Sequence, residues 1–128
     1  MILRYRLFVI FGFYLGLVVA LPASNWPSWR GDLAGSGIVS DNSVPLKWDR
    51  KKNITWRAPL PDRGNSSPII WGDKLFITQA TDADKRRSVM CFNKLTGTML
   101  WQKGLIYSKK EKTHQTNPYC SGSPVTDG

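Results

Sequence analysis

One run of residues occurs twice in this chain, and that recurrence limits the fold more than any other feature. Ser67-Pro68-Ile69-Ile70-Trp71-Gly72 returns, loosely, as Ser123-Pro124-Val125-Thr126-Asp127-Gly128. Beside it, Asn53-Ile54-Thr55-Trp56-Arg57-Ala58-Pro59-Leu60 is echoed by Thr98-Met99-Leu100-Trp101-Gln102-Lys103-Gly104-Leu105. A period of roughly 45 to 56 residues marks a repeat architecture. A repeat unit cannot bury its apolar face alone and depends on its neighbours. The 128 residues leave room for one small domain at most, and they hold one full unit plus pieces of two others.

Short apolar runs punctuated by Gly and Pro predict an all-β chain. Residues 54–58 are predicted as a short Trp-containing strand, closed by Pro59 and Pro61. Residues 68–71 form the next strand, with Pro68 tolerated at its start. Gly72-Asp73 is a two-residue hairpin connection. Residues 74–80 carry apolar side chains on both faces, Leu75 and Ile77 against Phe76, which predicts cover on both sides. A polar loop at 81–87 leads to a strand at 88–92. Asn93-Lys94-Leu95-Thr96-Gly97 then forms a tight turn, with Gly97 free to take a positive φ. The strand 98–103 follows. Residues 68–103 therefore predict a four-stranded antiparallel meander, and 122–126 open the next unit after a polar connection. Residues 24–52 are an irregular lead-in whose tryptophans, Trp26 and Trp29, are expected to pack on the body of the fold. Residues 53–128 are the repeat region.

The N-terminus is organised differently. Arg4 and Arg6 precede an uncharged apolar run over 7–21, and small residues follow at Ala20, Ala23 and Ser24. This is the layout of a secretory signal peptide, assigned to 1–23 as a signal helix. The rival is a membrane anchor, but a spanning helix wants about 20 apolar residues, and this run is shorter and closed by Pro22. The expected location is periplasmic or secreted, with membrane contact only through this segment.

The formal net charge is +9. Part of it sits in Lys85-Arg86-Arg87 and in Lys109-Lys110 with Lys112. Such runs ordinarily belong to solvated loops, and they are read that way. The functional alternative is contact with an anionic partner such as cell-wall polymer, anionic lipid or nucleic acid. Export argues against nucleic acid. Cys91 and Cys120 would meet an oxidising compartment, so a bridge between them stays open. The apolar run around Cys91 favours a free, buried thiol.

The segment Ser66-Ser67-Pro68-Ile69-Ile70-Trp71-Gly72-Asp73-Lys74-Leu75-Phe76-Ile77-Thr78, with the turn Asn93-Lys94-Leu95-Thr96-Gly97-Thr98-Met99-Leu100-Trp101, resembles the pyrroloquinoline-quinone-like β-propeller repeat. The turn carries Asn93 where that repeat usually has Asp. The lead-in Trp26-Pro27-Ser28-Trp29-Arg30-Gly31 is similar to the N-terminal part of exported bacterial members. The resemblance covers residues 26–128. It implies a partial β-propeller: one four-stranded antiparallel blade plus the edges of two neighbours. A propeller closes with typically four to eight blades, so the resemblance also implies an N-terminal fragment whose further C-terminal blades lie outside this sequence. Trp56, Trp101, Gly97, Pro68 and Pro124 then read as blade-packing residues, because a large aromatic fills the slot between blades in one side chain.

The family's name refers to a redox cofactor, but the repeat alone does not imply that it is bound. Quinone-dependent dehydrogenases of that superfamily need Glu, Asn and Asp metal ligands, a catalytic Asp and often adjacent cysteines. This chain has a single Glu, Glu111, and its cysteines are not adjacent. No cofactor or metal residue is assigned, and pyrroloquinoline quinone enters only if a remainder of the protein supplies its site. No catalytic residue is assigned either, because His114, the only histidine, has no visible acid or nucleophile partner. His114, Asn117 and Tyr119 lie in a loop of the kind that forms binding sites on a propeller face, and they are the candidate loop-binding residues. Asn53-Ile54-Thr55 and Asn65-Ser66-Ser67 match the glycosylation pattern, which in a bacterial chain is a chance match. The expected function is an exported, non-enzymatic scaffold or binding module with a protein or polymer ligand. The alternatives are the N-terminal piece of a quinoprotein dehydrogenase and a signal-anchored β-protein that touches anionic surfaces through its basic loops.

Overall fold

The computed structural model describes residues 25–39, 44–83, 85–109 and 111–128. The signal segment assigned to 1–23 lies outside them. The described part is all-β. Its strands are β1 (Ile69–Trp71), β2 (Lys74–Thr81), β3 (Arg86–Asn93) and β4 (Met99–Ile106). They form one sheet in the order β1-β2-β3-β4, every neighbouring pair antiparallel. This is the predicted meander. The sheet runs further than expected at one end, because Ala80 and Thr81 pair with Arg87 and Arg86. Polar residues at the end of a ladder still fill its hydrogen bonds, so charge patterning alone places the strand ends too early.

The turns follow from local chemistry. Gly72 takes φ 61 in the two-residue β1–β2 connection, as hairpin turns of this length require. Between β3 and β4, the Asn93 side chain accepts hydrogen bonds from the Leu95 and Thr96 amides at 2.9 and 3.0 Å. The Gly97 amide returns to the Asn93 carbonyl at 2.9 Å. Asn93 therefore builds the turn with its own side chain. Where β4 begins, Cys91 pairs with Trp101 and Phe92 with Met99, leaving Leu100 as an extra, unpaired residue. Such a bulge sharpens the local twist.

Side chains of directly paired residues share a face. Leu75, Ile77, Met90 and Phe92 line one face, and Phe76, Cys91 and Trp101 line the other. Trp56, Ala58, Leu60 and Pro68 lie over the first. Pro124, Val125 and Thr126 lie over Ile69, Phe76 and Val89 on the second. Ile69, Ala80, Met90, Cys91 and Phe92 are the buried apolar residues. Three of these five belong to β3, which has a long partner on each side. Each large apolar side chain buried here contributes about 1.5–3 kcal/mol.

Two polar residues are buried with this core, Gln79 and Ser88. The Gln79 amide nitrogen donates to the Asp62 and Ala80 carbonyls at 3.0 and 2.8 Å. The Ser88 hydroxyl donates to the Gln79 carbonyl at 3.2 Å and accepts from Gln102 at 2.8 Å. The network is satisfied, and Gln79 fixes the covering segment to the sheet through Asp62.

The structure corrects several expectations. Residues 54–58 and 122–126 belong to no strand and pair in no ladder. They cross the faces of the sheet instead of adding to its edges, where Pro59 and Pro61 would leave donors missing. The lead-in does dock through Trp26, whose backbone exchanges two 2.8 Å hydrogen bonds with Ile70 on the outer side of β1. Trp29, expected to pack, is 65 % exposed.

Candidate functional site

The predicted packing residues fall into two groups, one on each face. Trp56 is half-buried and donates from its indole nitrogen to the Lys94 carbonyl at 2.8 Å. Its ring lies against Gly97, which has φ 71. A Cβ at that glycine would sit 2.5 Å from Trp56 Cδ2. The turn thus offers a flat, side-chain-free surface to the indole. Pro68 joins Trp56, Leu75, Ile77 and Phe92 around the same apolar hollow. On the opposite face, Trp101 meets Phe76 with ring centroids 5.9 Å apart. Pro124 borders the cavity over Ile69, Phe76 and Val89. The two Ser-Pro runs also meet. The Ser67 amide donates to the Ser123 hydroxyl at 2.9 Å, across 56 residues of sequence. The Thr78 hydroxyl donates to the Gly122 carbonyl at 2.7 Å.

The loop residues divide. His114 and Asn117 close one tight turn, the Asn117 amide donating to the His114 carbonyl at 2.9 Å. His114 Nδ1 lies 2.8 Å from the Thr116 hydroxyl, so the ring supports its own turn. Both residues are exposed. Tyr119 points elsewhere. Its ring lies under the Arg87 guanidinium, 4.0 Å from Cζ, and its hydroxyl donates to the Glu111 carbonyl at 2.6 Å. His114, Asn117 and Tyr119 therefore do not form one site.

Tyr119 instead belongs to a cleft that the sequence does not single out. Asp82, Lys85, Arg87, Tyr107, Ser108 and Lys109 complete its lining, around a volume of about 280 Å³. Antiparallel pairing builds it. Arg86 lies opposite Ile106, and the Tyr107 amide donates to the Lys85 carbonyl at 2.8 Å. Lys85 and Arg87, from the first basic cluster, thereby meet Lys109, from the second, at one end of the sheet. The readable signal was the pairing of strands three and four, which carries whatever follows the fourth to whatever precedes the third. A smaller cavity of about 40 Å³ adjoins the cleft and shares Asp82 and Tyr119 with it.

Cys91 and Cys120 carry free thiols. Burial raises the pKa of both, most simply at Cys91, which is fully enclosed. Asp62 is held below the usual carboxylate range by hydrogen bonds from the Arg63 and Asp82 amides. Among the described residues, no three of His, Cys, Asp or Glu gather in a group able to hold a metal ion. No protein-family model, curated protein or solved structure matches this chain.

Proposed function

We propose that this chain is a propeller-repeat unit of the pyrroloquinoline-quinone-like kind, exported, and acting as a non-enzymatic scaffold or binding module. One observation carries the reading: the repeated motifs touch each other across a single sheet. Trp56, from the first copy of the Trp motif, rests on the turn that opens the second copy. Ser67 and Ser123 are equivalent in the two Ser-Pro copies, and they share a hydrogen bond. A stack of like units needs this arrangement, each unit burying its neighbour's face. Trp101 is the counterpart of Trp56 and takes the same role toward a following unit. Exposed Met99, Leu100, Leu105 and Ile106 along β4 are the surface such a unit would cover.

Sedimentation equilibrium of the full chain tests this. Association is expected at about micromolar concentration, where uncovered apolar surface is aggregation-prone. Leu105→Lys should reverse it while leaving the β-sheet circular dichroism unchanged, which separates β4 from the apolar N-terminal run as its cause. A monomeric, cooperatively unfolding chain would overturn the reading, as would association that Leu105→Lys leaves intact.

A further inference from the structure

The geometry points to a binding site in the cleft that Asp82, Lys85 and Arg87 form with residues 107–109 and Tyr119. Its ligand is an oxyanion-bearing group the size of one sugar unit, a carboxylate or phosphate carried on a hydroxylated ring. Three cations converge there: Lys85, Arg87 and Lys109. Among the described residues the one ion pair is Lys74 with Asp73, at the opposite end of β2. Among the described residues, no carboxylate lies within ion-pair distance of these three cations. Like charges held close raise the local affinity for an anion.

Arg87 is the anchor. The Tyr119 ring packs on its guanidinium at 4.0 Å, and Nη1 donates to the Arg86 carbonyl at 3.2 Å. Tyr119 is itself tied to the Glu111 carbonyl at 2.6 Å. The fork is held before any ligand arrives, so little side-chain freedom is lost on binding. A guanidinium has five donors, and most of them stay available to a planar carboxylate or a phosphate.

The rest of the lining decides what carries the anion. Asp82 would repel a bare inorganic ion. It accepts hydrogen bonds from hydroxyl groups, and Ser108 and Tyr107 bring further donors and acceptors. An oxyanion at one end of a ligand and hydroxyls at the other satisfy both halves of the cleft. The volume of about 280 Å³ lies just below the usual range for small-molecule sites. It takes one sugar-sized unit, either free or as part of a polymer that continues into solvent.

The test follows amide resonances of the isotope-labelled full chain during titration at fixed ionic strength. Glucuronate and glucose 6-phosphate should shift Lys85, Arg87, Ser108 and Tyr119 saturably, with Kd of about 1 mM. Glucose should not. Arg87→Gln should weaken both anions by about tenfold or more, the loss of one charge-assisted contact. Lys51→Gln, remote from the cleft, should change nothing. If Arg87→Gln loses its dispersed spectrum, Lys109→Gln replaces it, with weakened binding expected at intact dispersion. A tetrameric uronate that binds far more tightly than glucuronate assigns a polymer as the source. Equal affinity assigns a free sugar acid. Shifts that glucose reproduces would overturn the proposal, as would equal losses in the Lys51 variant and the cleft variant.

Discussion

Replacing Gly97 with alanine should cost this chain more than any other single methyl group outside the strands. Two terms add. The residue has φ 71, in the left-handed region, which an L-residue enters at a cost of about 1–2 kcal/mol. The new methyl would also stand 2.5 Å from Trp56 Cδ2. Trp56 must then move, at an overpacking cost of about 1–3 kcal/mol. Moving it strains the 2.8 Å hydrogen bond from its indole to Lys94, worth a further 0.5–1.5 kcal/mol or so. The total is about 2.5–6.5 kcal/mol, a large share of the stability of a small domain. The assay is urea unfolding followed by far-ultraviolet circular dichroism, at a concentration where sedimentation shows one species. Gly97→Ala is measured in the natural chain and again with Trp56→Ala. In the second background only the backbone term remains, so the cost should fall to about 1–2 kcal/mol. An equal cost in both backgrounds would refute the contact between ring and turn.

Gly104 is the complementary case, since its backbone carries no left-handed strain. A Cβ there would lie 2.6 Å from Ser88 Cα and overlap the Arg87 carbonyl, both of them backbone. Gly104→Ala should destabilise by about 1–3 kcal/mol and speed amide exchange along the β3–β4 ladder, whereas Gly72→Ala meets no atom within 4 Å and should cost only its turn strain. The two thiols should separate under alkylation with mass-spectrometric readout: Cys120 reacts in the folded chain, and Cys91, with no exposed surface, reacts only after unfolding. Their pKa values are raised in the fold by burial, so their contribution is fully present below the ordinary thiol pKa. It is lost as pH rises past that value, because the unfolded thiols ionise first. Stability of the Cys91→Ser variant that falls just as steeply between pH 8 and 10 or so would count against Cys91 as a source of the slope.

The meander was legible because its signals are local. Gly72 and Gly97 punctuate alternating runs such as Leu75-Phe76-Ile77, and each strand pairs with the next one along. Trp56 stood out through the repeated Trp motif and Gly97 through its turn signal, and the ring lies against that turn. The covering segments were less so. Residues 54–58 and 122–126 have strand-like composition, yet composition does not say whether an extended segment joins a ladder or crosses a face. The decision lies in tertiary contacts such as Ser67 with Ser123. The cleft was the least legible part. Lys85, Arg87 and Lys109 read as separate solvated runs until the register between β3 and β4 brings them together. Arg87 was further hidden by its place inside a predicted loop, when in fact it is a strand residue whose partner, Tyr119, comes from a different turn.

The docking of Trp26 on β1 gives the sheet a direction. The outward amide and carbonyl of Ile70 are occupied by Trp26, and the Gly72 amide is taken by the Asn25 side chain at 2.8 Å. Among the described residues no backbone partner occupies the far side of β4. A fifth strand can therefore enter from one flank and not from the other. Any templated growth of this chain, whether orderly assembly or misfolded fibre, would be one-ended at its first step. The lead-in thus works as a stopper, and deleting it would turn a chain that extends from one side into one that extends from both.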